Sequence, residues 1–204
     1  MNMKIVASLL LFGAYAGVCS DIVWSGDVVV PESADVTCTD HGYVTSISLG
    51  ANSVVRFNTR TAHSFPITGS GKIIKEGDAE WTMTTAIPNF AGDYEIASGV
   101  VNVSLGKVFG ADDVKHKLVV RKGATLSITA KEGAIIKRHV HIAGDGAPGR
   151  FGALEAPAVS TTEHFLDYLY LDGDATLYTP MSGLFFVQGE LDLSGFKLTV
   201  TGAG

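Results

Sequence analysis

Apolar residues in this chain recur at every second position, in runs of only two or three, and a turn residue closes almost every run. Leu118 and Val120 are followed by Lys122-Gly123, and Leu126 and Ile128 repeat the pattern eight residues later. Leu191 and Leu193 lead through Ser194-Gly195 to Leu198 and Val200 in the same way. Further pairs are Ile47/Leu49, Val55/Phe57, Trp81/Met83, Val101/Val103, Val140/Ile142 and Leu169/Leu171. Spacing of two puts both members of each pair on one side of a short strand. A strand this short cannot bury one apolar face by itself, so such strands must stack or wrap around a shared interior. A sandwich and a solenoid both meet that demand. Repeated units of alternation and turn, with no strand expected beyond about six or seven residues, predict the solenoid. Helical periodicity is absent after residue 20.

The first 20 residues, MNMKIVASLLLFGAYAGVCS, have Lys4, an apolar run from Ile5 to Phe12 and small residues at the end. That is the layout of a secretory signal peptide, with cleavage after Ala16 or after Ser20 both fitting. Residues 21–204 are then expected to form one all-β solenoid domain, long enough to bury a continuous core. The chain carries a formal charge of -6, and the leader holds one lysine and no acid, so the exported part is slightly more acidic still. A nucleic-acid partner is not expected of such a chain. The leader takes Cys19 with it if cleavage follows Ser20, leaving Cys38, so no disulfide framework is expected despite export. No later apolar stretch approaches the ~20 residues of a membrane-spanning helix.

Residues 68–110, TGSGKIIKEGDAEWTMTTAIPNFAGDYEIASGVVNVSLGKVFG, add a second layer of pattern. Gly69, Gly71, Lys75 and Gly77 precede the alternating Trp81/Met83, then come Asn89, Phe90 and Gly92, then Tyr94/Ile96, Gly99 and Val101/Val103. The segment resembles the autotransporter-associated β-strand repeat of bacterial passenger domains. It departs from that pattern at Ala79, where the family has Gly, and at Thr85-Ala86. Leu198-Thr199-Val200-Thr201-Gly202-Ala203-Gly204 resembles the opening of another repeat, cut off at its second glycine. The resemblance implies a right-handed β-helix of pectin-lyase-like architecture, presented outside the cell, with the glycines at tight corners. It implies no ligand, cofactor or reaction.

Candidate ligand residues come from elsewhere in the chain. Tyr168, Tyr170, Asp172 and Asp174 alternate with Leu169 and Leu171 and are expected on the exterior. Two phenols and two carboxylates in a row suit a glycan, and they equally suit a surface ladder that ends in a turn at Asp172-Gly173. His139 and His141 share one strand face, but no third ligand stands at metal-site spacing, and a solvated strand is the reading preferred. Asp145, Asp172 and Asp174 lie near glycines without the repeated Gly-Gly-x-Gly-x-Asp units of a calcium-binding solenoid, and read as turn formers. Residues 143–163, rich in Gly, Ala and Pro, are expected as a surface loop or a bulge between two coils.

Asp112-Asp113 is the one adjacent acidic pair, and it sits in a turn-like stretch; G-x-S-x-G is absent. The expectation is therefore a structural or adhesive segment, not an enzyme, with no cofactor and no metal, secreted or held at the cell surface. Its partners would be a glycan or a surface protein. A carbohydrate-binding module and a polysaccharide lyase or hydrolase of β-helix fold are the alternatives.

Overall fold

The computed structural model describes residues 23–59, 64–105, 108–109, 115–131, 133–157, 163–180 and 184–202. The leader at 1–20, Asp112-Asp113 and Ala203-Gly204 lie outside them. Strands alone make up the regular structure of these residues. In chain order they are β1 (Val23–Val30), β2 (Asp35–Cys38), β3 (Asp40–Leu49), β4 (Val54–Phe57), β5 (Ile67–Gly69), β6 (Lys72–Lys75), β7 (Glu80–Met83) and β8 (Tyr94–Ile96). There follow β9 (Gly99–Val103), β10 (Lys117–Val120), β11 (Ala124–Ile128), β12 (Ile135–Gly144), β13 (Leu154–Glu155), β14 (Glu163–Tyr178), β15 (Leu184–Asp192) and β16 (Leu198–Thr201).

Every pairing is parallel, and each strand meets a strand one turn further along the chain, which makes a β-solenoid of about seven turns. Three rows of strands form its faces. The first row runs β2, β4, β6, β8, β10, then the second parts of β12 and β15 on either side of the middle of β14. The second runs β7, β9, β11, β13, the end of β14, and β16. The third begins with β1, β3 and β5 and returns in the opening residues of β12, β14 and β15.

The alternation predicted for the apolar pairs is what builds the interior. On the first row Val55, Ile73, Tyr94, Leu118, Val140 and Leu169 stand above one another in register and are buried. On the second, Trp81, Val101, Leu126, Leu154 and Leu177 do the same. Burying one such side chain fully contributes about 2 kcal/mol. The core changes character along the stack. Its first coils hold an aromatic chain, Trp24 to Phe57 (6.0 Å), Phe57 to Trp81 (4.9 Å), Trp81 to Tyr94 (6.3 Å) and Tyr94 to Phe109 (5.4 Å). The later coils are filled by Leu, Ile, Val and Ala.

Two expectations are corrected. Strands were not to exceed six or seven residues, yet β14 has 16 and β3 and β12 have 10 each. The backbone stays extended where two faces meet, and slips in register mark the corners, between Ile136 and His139 and between Ile142 and Gly144. The stretch 143–163 is also more ordered than a plain loop. Gly144 ends β12, β13 lies within the stretch, residues 145–152 are laid against the outside of the second row, and Glu163 opens β14. Its residues 158–162 lie outside the described ones.

Candidate functional site

Outward positions on the first row place the sequence-predicted tyrosines. Lys117, His139, Tyr168 and Glu190 stand in one register line, and Val119, His141, Tyr170 and Asp192 in the next. Parallel strands set such neighbours about 4.8 Å apart, and the rings use that spacing to stack. His139 lies 4.6 Å from Tyr168 and 5.2 Å from Tyr170, and His141 lies 4.9 Å from Tyr170, with ring planes within 28° of each other. Carboxylates border the group. Tyr170 donates its hydroxyl to Glu190 (3.0 Å), and His141 Nδ1 meets Asp172 (2.9 Å). Lost hydration, followed by the hydrogen bond to Glu190, holds the Tyr170 phenol above its ordinary pKa.

The stack decides what these groups offer a ligand. Ring faces point along the solenoid axis and cover one another, so the exterior receives ring edges, phenol oxygens and imidazole nitrogens. The face offers hydrogen-bonding edges, not a flat aromatic floor. Tyr168, Tyr170 and Asp172 lie together on this outer face. Asp174 lies in the register slip between Leu171 and Ala175 and accepts the backbone N–H of Lys197 (2.9 Å), so it serves the corner. The two histidines are the members that sequence reasoning kept apart from the tyrosines. The signal was the shared parity of the two pairs, but the 29 residues from Val140 to Leu169 hid their register.

Earlier coils of the same outer face carry charge in place of rings. Arg56 reaches Asp35 (3.1 Å) and Glu76 (3.0 Å), and Glu95 accepts from Lys72 (2.6 Å) and Arg121 (2.9 Å). Burial alone would raise the Glu95 pKa; the hydrogen bonds from Arg121 and Lys72 outweigh it and hold the carboxyl below its ordinary value. On the second face Arg150 joins Glu155 (3.1 Å) to Glu80, from coils far apart in sequence. Asp145 accepts the Thr176 hydroxyl (2.6 Å), and Thr125 accepts the Ala147 N–H (2.9 Å), so residues 145–152 form a strap pinned to that face.

The repeat-motif residues lie in corners and core, away from the ladder. Gly71 stands over Gly92, so that a Cβ on Gly92 would sit 1.7 Å from the Gly71 carbonyl oxygen. Gly77 stands over Gly99 in the same manner, both at positive φ. Gly69, also at positive φ, bridges to Phe90, which is fully buried, while Asn89 is exposed in the turn before it. Lys75 occupies an inward position and is fully buried. Its ammonium donates to the carbonyls of Gly77 (2.7 Å), Glu76 (2.8 Å) and Ser98 (3.2 Å), and burial brings its pKa down to about 8. Cys38 is buried in the core.

Among the described residues no three His, Cys, Asp or Glu side chains converge as a metal would require. No described helix is long and apolar enough to cross a membrane. Compared with protein-family models, curated proteins and solved structures, the chain matches none.

Proposed function

We propose that this chain is a structural and adhesive β-solenoid segment, exported and displayed at the cell surface in the manner of an autotransporter passenger. The observation that carries the reading is the unbroken stack. About seven parallel turns share one apolar interior, which suits a stiff rod whose outer side chains vary without loss of core. Two further observations support it. Gly71 over Gly92 and Gly77 over Gly99 make residues 68–110 span about two coils, a whole number, as a stacking repeat requires. The carboxylates of Asp35, Glu76, Glu95 and Glu155 are engaged by Arg or Lys of the same or neighbouring coils, and Glu80 by Arg150 from further along the stack, which is the use a scaffold makes of them. Catalysis has no part in this reading.

Intact cells producing the full chain provide the test. External antibody and external protease reach the solenoid if it is displayed, and beads coated with the purified protein adhere to cells or matrix. Signal only after cell lysis, together with inert beads, overturns the reading.

A second reading, a carbohydrate-binding surface, is favoured by one observation: Tyr168, Tyr170, His139, His141 and Asp172 form a strip of hydrogen-bonding edges on a flat face. A glycan array is the measurement. Binding by the wild type that disappears in Tyr168→Ala and Tyr170→Ala supports it, and an empty array, or unchanged binding by the variants, removes it.

A further inference from the structure

We propose that His164 is an acid-released latch holding the coil that begins with β15 onto the coils before it. Near the start of β14 its side chain points inward and is 1% exposed. Its Nδ1 accepts the backbone N–H of Ala134 (3.2 Å) from the preceding coil, and its ring lies 5.5 Å from that of Phe185 in the following one. A ring nitrogen that accepts a hydrogen bond carries no proton, so the imidazole here is neutral, with its proton on Nε2.

Protonation at Nδ1 would set two N–H groups against each other and strand the Ala134 donor. It would also place a charge in an apolar interior made by Ile136, Leu166 and Val187. The charged groups on the surrounding strands do not relieve that. Glu163 is exposed on β14, Lys137 is half-buried at the β12 corner, and Arg138 is buried beside it, bonded to the carbonyls of Phe90 and Gly92. From β15 the packed segment is Leu184, Phe185, Phe186 and Val187, without a titratable side chain. Among the described residues no carboxylate is bonded to the ring.

The coil of β15 is the element that yields, because among the described coils around the ring its side chains are the least buried. Leu184 is 50% exposed and Val200 63%, and a cavity of about 270 Å³ opens between Leu169, Leu177, Leu191 and Leu198. The coil of Ala134 is packed above and below. Burial lowers the His164 pKa below the ordinary 6.5. The folded state therefore binds this proton less readily than the unfolded one. Its stability is complete above pH 6.5 and declines as pH falls through 6.5 toward the folded-state value. Acid surroundings would free β15 and uncover Phe185, Val187 and Leu166, an apolar surface concealed at neutral pH.

Hydrogen exchange on the full chain, corrected for intrinsic rates, tests this at about pH 7.5 and about pH 5. In the wild type, protection of amides 184–192 falls about tenfold or more at the lower pH, while amides 94–103 keep theirs. In His164→Asn the amide oxygen replaces Nδ1 as acceptor without titrating, and protection is the same at both values. Protection of 184–192 that ignores pH in the wild type overturns the proposal, as does an acid loss that persists in His164→Asn. The double variant His139→Asn, His141→Asn keeps the wild-type response; a response that vanished there would place the switch on the outer ladder and overturn the latch.

Discussion

At Gly92 one methyl group decides whether two coils can lie in register. A Cβ there would overlap the Gly71 carbonyl and crowd the Phe90 ring at 2.7 Å, both fixed parts of the stack. Gly123 has positive φ but open space around it. Urea unfolding should therefore separate the two substitutions: Gly92→Ala loses about 3 kcal/mol or more from overpacking, and Gly123→Ala about 1 kcal/mol from its left-handed backbone. Tyr94 presents the opposite case. Its hydroxyl is buried without a hydrogen-bond partner, and burial pushes its pKa well up. Tyr94→Phe removes an unsatisfied group while keeping the ring against Trp81 and Phe109, so a gain of about 1 kcal/mol is expected in the same measurement. The glycines were readable as corners because their spacing repeats. Lys75 was readable as a motif residue only, since nothing in an alternating pattern says that an inward lysine will find three carbonyls to hold.

Between elements, ion pairs differ by what covers them. Arg56 and its partners Asp35 and Glu76 are solvated, and Arg56→Ala should cost less than about 1 kcal/mol. Arg150 closes the strap over Glu155, whose side chain is 1% exposed. Arg150→Ala leaves that carboxylate with the Phe151 N–H, and a loss of about 3 kcal/mol is expected, seen also as faster proteolytic nicking within 145–152. Strand pairs and turns were legible because alternation with period two is local. The strap, the long corner-turning β14 and the stacking of His139 on Tyr168 were not, because they depend on which coil lies above which. On the first row, coil length varies from 18 residues, Val54 to Lys72, to 29, Val140 to Leu169, so no fixed period could align them.

Over the whole molecule, each coil is supported by its neighbours, and position in the stack sets the effect of a core change. Leu126 is fully buried between Val101 and Leu154, and Leu126→Ala should cost about 3 kcal/mol. Val200, in the last described strand, lies 63% open, and Val200→Ala should fall within about 0.5 kcal/mol of the wild type. Equal losses in denaturant titrations would show that β16 is as tightly held as β11. The unequal coils carry a separate consequence. Eleven residues more or fewer enter a turn without disturbing the ladder on either side, because the surplus is set aside at a corner and the strands above and below remain in step. The pitch of the rod and the contents of its corners are thus independent variables. A lineage or an engineer can rewrite what the corners display, coil by coil, while the spine keeps the same rise.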